Sequence, residues 1–252
     1  MNTKENTVSF DDIKDNLLTS LVQIEGNEDW LNAVPHKEIE DLALIYKIRL
    51  EPDGDPDRMT MTNDMVKMLG MSEKQFMEAA DAVIPGNEPP VIKDIREVLG
   101  FFDKENDEPG PLYVATNPEA KEGAGVINYH GFLDHAAEQL NGDFTILPSS
   151  IHEVLLLKDN ANISVEDLKD IVMAVNDGVV DPKDQLSNQV YHYDSRNKIF
   201  ELAEKFEERK SHAREEERPS VLEELRNNKD TAVKDMADKA EKSKKISQEA
   251  SI

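Results

Sequence analysis

Apolar residues recur at spacings of three and four over Ile13, Leu17, Leu18, Leu21 and Val22, and Ser9 stands where a hydroxyl can cap the start. This predicts a first helix with one buried stripe. Residues 41–50 (DLALIYKIRL) are apolar and partly β-branched, and the acidic stretch EPDGDPDR separates them from the alternating run at 59–62. The expectation is two strands joined by a loop. Asn63 or Asp64 can cap a short helix ending at Gly70, and Ser72 with Gln75 at capping-box spacing opens another that stops before Pro85-Gly86. The segment VIKDIREVLGFF fits a strand and a short helix equally.

Further along, LYVAT at 112–116 predicts a strand, EAKEGAG a loop, residues 126–129 a strand and residues 131–140 a helix. FTIL and IHEVLLLK then read as two strands about the turn Pro148-Ser149-Ser150. In the second, Ile151, Leu155 and Leu157 share one face and Val154 and Leu156 the other, which predicts a central strand covered on both sides. Ser164, with Asp167 three residues on, caps a helix through Val175, and a last strand spans 189–194 before the turn-like Ser195-Arg196-Asn197. From Lys198 the pattern turns helical, then thins after Pro219 into a Lys- and Glu-rich stripe without sustained heptads. The predicted class is α+β. A mixed sheet of six or more strands, with helices on its faces, occupies residues 1–197, and a charged, partly helical or disordered tail occupies 198–252.

Charge sharpens that division. Of 29 basic and 53 acidic residues, 13 and 14 lie from Lys198 onward; the 16 and 39 before it give residues 1–197 a charge of -23 out of -24. A body so acidic repels phosphate backbones and anionic lipids, which argues against direct nucleic-acid or membrane binding and for a basic protein partner. The absence of cysteine removes disulfides, thiolate nucleophiles and cysteine metal sites. No run approaches the ~18 to 20 apolar residues of a bilayer span, and the opening MNTKENTVSF lacks a signal-peptide core. A cytoplasmic protein is expected.

Three stretches, YVATN at 113–117, GAGVINYHGFLDHAAEQLNGDFTILPSSIHEVLLLKD at 123–159 and LSNQVYHYD at 186–194, resemble an uncharacterised family of clostridial Gram-positive bacteria, a domain of unknown function. The resemblance covers about residues 10–197 and is most specific at LPSSIHEVLLL. It implies a bacterial cytoplasmic setting and a boundary before the tail, and it brings no activity, cofactor or catalytic residue.

Candidate chemistry concentrates at Ser149, Ser150, His152 and Glu153, where hydroxyl, imidazole and carboxylate are the parts of an activated nucleophile. In an extended strand Ser150 and His152 share a face while Glu153 points away, so the third member has to come from elsewhere, with Asp194 and Asp134 as candidates. The competing reading is a self-bonded turn beside a structural histidine. His130 and His135 diverge on a helix, and no ligand triplet is visible. Asp53, Asp55 and Asp57 have calcium-loop spacing, but Arg58 stands where that loop needs glycine and Asp64 where it needs glutamate. Gly123-Ala124-Gly125 lacks the third glycine of a dinucleotide loop, and Trp30 reads as a packing residue. No metal or cofactor is expected. The favoured function is a non-catalytic interaction protein whose acidic loops, with Asp53, Asp55, Asp57, Ser149 and Glu153 as candidate binding residues, engage a basic partner. The alternative is a small hydrolase or transferase that uses His152 with Ser150 and a carboxylate.

Overall fold

Leu17–Gln23 (β1) runs antiparallel to Leu42–Arg49 (β3), with Leu17 opposite Ile48 and Gln23 opposite Leu42. His36–Ile39 (β2) and Arg58–Thr60 (β4) share the far edge of β3, the first opposite residues 42–45 and the second opposite 47–49. This four-stranded sheet is described in a computed structural model that covers residues 8–50, 58–101, 107–148, 150–159 and 163–216. A second sheet has six strands in the order β10-β9-β7-β8-β6-β5. They are Val91–Asp94 (β5), Leu112–Thr116 (β6), Phe144–Leu147 (β7), Val154–Lys158 (β8), Tyr191–Asp194 (β9) and Ile199–Leu202 (β10). The class is α+β. Every pairing is antiparallel, so two sheets replace the single mixed sheet of the sequence reading. Residues 63–87 supply the reason: they form the helices Asn63–Met68 (α3) and Glu73–Asn87 (α4), which link the sheets and make no crossover within either.

Helices labelled in the same chain order are Phe10–Ile13 (α1), Glu28–Leu31 (α2), Ile95–Val98 (α5), Phe132–Leu140 (α6), Val165–Gly178 (α7) and Ala203–Glu216 (α8). The chain divides into two compact units, Met1–Phe206 and Glu207–Ile252. Among the described residues no helix is long and apolar enough to cross a membrane.

Alternation in the strands sets the layers. Tyr113, Phe144, Ile146, Val154, Leu156, Tyr191 and Tyr193 join Leu17, Leu21, Leu44, Tyr46 and the apolar stripes of α4 and α6 in the main core. The opposite face of the larger sheet packs Leu147, Leu157 and Val190 against Leu168 and Val172 of α7. β8 is therefore a central strand covered on both sides, as its two apolar faces require. Three core tyrosines satisfy their hydroxyls by donating to carboxylates: Tyr46 to Asp81 at 2.8 Å, Tyr191 to Asp41 at 2.7 Å and Tyr193 to Asp134 at 2.6 Å. Asp41, between β2 and β3, thus bonds the two sheets together.

Several elements depart from the sequence reading for identifiable reasons. The expected first helix lasts one turn, with Ser9 and Asp12 forming its capping box. Residues 17–23 are a strand because the short apolar run fits both periods and β3 offers a full-length ladder. α4 continues through Pro85 to Asn87, where the Asn87 amide donates to Lys14 O and Leu17 O and holds the last turn. The undecided segment is both things in succession, β5 then α5. After β9, Lys198 adopts φ 56° and reverses the chain, so residues 199–202 pair as β10 where a helix is expected. The expected tail from 217 onward lies outside the described residues.

Of residues 126–129, expected as a strand, the first three belong to a buried 3-10 turn, Gly123–Asn128, inserted into the main core, and Tyr129 caps its end. A methyl group on Gly123 would stand 2.5 Å from Asn117 N and 2.9 Å from His152 O, and one on Gly125 would stand 2.8 Å from Thr19 Oγ1. At Gly123 the close atoms include fixed backbone, against which only glycine fits, whereas at Gly125 the obstacle is the Thr19 side chain. Gly123→Ala should therefore cost about 3 kcal/mol, whereas Gly178→Ala, whose Cβ meets nothing within 4 Å, should leave Tm nearly unchanged. Equal Tm values for the two variants would contradict this packing.

Burial, aided by the partner carboxylates, holds the Tyr46, Tyr191 and Tyr193 hydroxyls well above the ordinary phenol range, and burial pushes Tyr129 up to about 12. The folded state favours neutral tyrosine, a contribution complete below about pH 10 and lost as pH rises through the folded values. Tm should fall steeply above about pH 10. Tyr46→Phe should lose about 1 kcal/mol at neutral pH and show a shallower alkaline decline; identical alkaline profiles for parent and variant would contradict the assignment.

Candidate functional site

The strand expected over IHEVLLLK begins only at Val154, and the residues before it form a self-bonded turn. Ser150 is buried; its Oγ accepts from His152 N at 3.0 Å and donates to Glu153 Oε1 at 3.4 Å. Ser150 N donates to Glu153 O at 3.3 Å and Ile151 N to Asp184 O at 2.9 Å. The turn thereby presents its remaining carbonyls to the glycine turn. His152 O accepts from Gly123 N at 3.0 Å and from Thr116 Oγ1 at 2.7 Å, and Ile151 O accepts from Ala124 N at 3.1 Å.

The imidazole completes this bracket. His152 Nδ1 accepts from Glu122 N at 3.0 Å, which assigns the proton of the neutral ring to Nε2, and Nε2 lies 3.5 Å from Asp184 Oδ2. Nucleophilic activation needs a ring nitrogen on the serine hydroxyl. Here that hydroxyl bonds the histidine backbone and the neighbouring glutamate. The carboxylate facing the ring is Asp184, not Asp194 or Asp134. Asp194 accepts from the Asn197 backbone and amide, and Asp134 accepts from Tyr193 and Lys198.

Next to the bracket, residues 117–122 are tied down by cations from the smaller sheet. Ala120 and Glu122 adopt φ values of 50° and 52°, and Lys121 O accepts from Arg58 Nη1 at 2.8 Å and from the Asn117 amide at 2.9 Å. Glu119 pairs with Arg49 at 2.8 Å and Arg58 at 2.6 Å, and Glu122 pairs with Lys47 at 2.6 Å. Glu88, buried against both arginines, has its pKa raised by loss of water, with Arg58 and Arg49 pulling the other way. These ion pairs hold backbone that is costly for non-glycine residues.

The remaining candidates do not converge on this point. Asp53, Asp55, Asp57 and Ser149 lie outside the described residues. Glu153 is half-buried in the turn, His130 and His135 are exposed around the start of α6, and Gly123-Ala124-Gly125 is enclosed by protein. Trp30, expected in packing, is 40% exposed in α2. Sequence reasoning misses Asp184 and Glu122, which reach His152 from 32 and 30 residues away. It also misses Asp143, Asp159 and His192, which gather at one end of the larger sheet.

Removing the imidazole leaves the Glu122 N–H without its acceptor. His152→Ala should therefore lower stability by about 2 kcal/mol, and His152→Asn, whose side-chain oxygen can take the Nδ1 position, should recover a large part of it. Thermal melts of the three proteins check this; His152→Ala melting like the parent would contradict the bracket.

No curated protein and no solved structure matches the chain. The model of a family of unknown function, DUF5688, matches residues 1–195. That match takes in both sheets up to β9, the glycine turn and the bracket beneath it, and on this ground the chain belongs to the DUF5688 family.

Proposed function

We propose that this protein is a non-catalytic cytoplasmic interaction protein, of bacterial origin, that engages a basic and amphipathic segment of a partner protein. The observation that carries this reading is the outer face of α7. Leu168, Val172 and Asn176 turn inward, and the opposite side presents Asp167, Asp170 and Asp177 in one stripe. Ile171 and Met173, 49% and 46% exposed, flank the stripe on either side. The helix has one lysine, Lys169, and Glu204 pairs with it.

Like charges along one face repel and lower helix stability. A partner bringing lysine or arginine to the stripe and apolar side chains to its shoulders relieves that repulsion and buries Ile171 and Met173. The same surface repels nucleic acid and anionic lipid. The hydrolase reading has less support, because the Ser150 hydroxyl and both ring nitrogens of His152 have structural partners. The charged segment beyond the first unit supplies a second contact in this proposal.

The test uses two peptides of equal lysine count, an amphipathic leucine-lysine helix and a version with serine for every leucine. The full chain should bind the first more tightly. Its affinity should fall about tenfold or more as ionic strength rises from about 0.01 M to about 0.15 M, where the Debye length shrinks from about 30 Å to about 8 Å. Asp167→Asn, Asp170→Asn and Asp177→Asn together should abolish the preference. Equal binding of both peptides, or binding unchanged in the triple variant, would overturn the assignment of α7.

A further inference from the structure

We propose that Asp143, Asp159 and His192 form a binding site for one divalent transition cation of the zinc or manganese class. The three residues are far apart in sequence and brought together by strand register. Thr145 of β7 stands opposite His192 of β9 and opposite Leu157 of β8. Asp143 lies two residues before Thr145, and Asp159 two residues after Leu157. All three side chains therefore leave the same face at the same end of the sheet. Asp159 N donates to Asp143 O at 3.3 Å and holds the two aspartates side by side.

A ring nitrogen of His192 and one carboxylate oxygen from each aspartate lie within 4.8 Å of one another. The supporting contacts suit a ligand set. His192 is 3% exposed, and its ring stacks on Phe206 with centroids 3.6 Å apart and planes 10° from parallel. The imidazole plane is thus fixed by packing. Asp143 is oriented through Oδ1, which accepts from Ser195 N at 2.9 Å and from Ser195 Oγ at 2.5 Å, the type of outer bond that positions metal-binding carboxylates.

A simple ion pair accounts for less. His192 Nε2 and Asp159 Oδ2 are 3.9 Å apart, beyond hydrogen-bond range but compatible with a cation between them. Metal bonds of about 2.1 Å place donor atoms roughly 3 Å apart, so the donor atoms, within 4.8 Å of one another, have to draw in, which the exposed Asp159 side chain is free to do. Lys158 does not neutralise the aspartates: it leaves the other face of the sheet, with its ammonium 5.2 Å from the Tyr113 ring centroid. A cavity of about 550 Å³ beside the two aspartates is lined by Asp143, Asp159 and Lys158 together with the end of α6, and His192 lies outside that lining. One nitrogen and two carboxylates select zinc or manganese over magnesium and calcium, which prefer all-oxygen sites.

The experiment titrates the full chain, stripped with chelator, with Zn2+ alone and with Mg2+ alone, by calorimetry and thermal melting. Zn2+ should bind once per chain and raise Tm by several degrees, and Mg2+ should bind at least about tenfold more weakly. Asp159→Asn, a partly exposed position whose change leaves the core intact, should weaken Zn2+ about tenfold or more, and His192→Gln should remove it. If His192→Gln fails to fold, Asp159→Asn and Asp143→Asn decide. Equal affinity for the two ions, binding at several sites only, or Zn2+ affinity unchanged by both aspartate variants would overturn the proposal.

Discussion

Gly123 N and Ala124 N donate to the carbonyls of His152 and Ile151, and the Cα of Gly123 approaches the backbone at Asn117 and His152 too closely for any side chain. The 3-10 turn set by these contacts carries Ala124, Val126 and Ile127 into the main core, with Gly125 against Thr19 of β1. One short segment is thus a contact layer for both sheets. Its seat is the turn at 150–153, in which Ser150, His152 and Glu153 spend their polar groups on one another and on the incoming backbone. A buried backbone donor needs an acceptor, and the His152 imidazole serves as one where no carbonyl reaches Glu122 N.

The distribution of cations follows from the same arrangement. In an acidic body, Lys47, Arg49 and Arg58 are committed to the loop before the glycine turn, Lys37 pairs with Asp81, and Lys198 pairs with Asp134. Basic residues thus tie elements together internally while exposed acidic side chains such as those of α7 go uncompensated. The outward field is negative because acidic residues outnumber basic ones 39 to 16 over residues 1–197. The proposed recognition of a basic segment depends on this asymmetry, and so does the proposed cation site, where two carboxylates and an imidazole meet at one sheet end.

Local chemistry was legible in the sequence. The Ser72 and Gln75 capping box, the Ser164 cap, LYVAT, FTIL and the two apolar faces of β8 all occur where residue types require them, because each depends on neighbours within a few positions. Long-range partners were not legible. Leu17 to Val22 read as helix until β3 supplied a ladder, and GAGVIN read as loop and strand because nothing in its composition announces the two backbones pressed against it. At the candidate site, Ser150 and His152 were visible as residue types, but their roles depend on Glu122, Gly123 and Asp184. Asp143, Asp159 and His192 share no local motif, and only the pairing of β7 with β8 and β9 places them together.

Amide hydrogen exchange at Glu122, Gly123 and Ala124 tests the central claim most directly. If the bracket at 150–153 seats the glycine turn in the core, these three amides should exchange as slowly as those of β7 and β8, opening only with global unfolding. Exchange at the rate of exposed loop amides, under conditions where β8 remains protected, would contradict it.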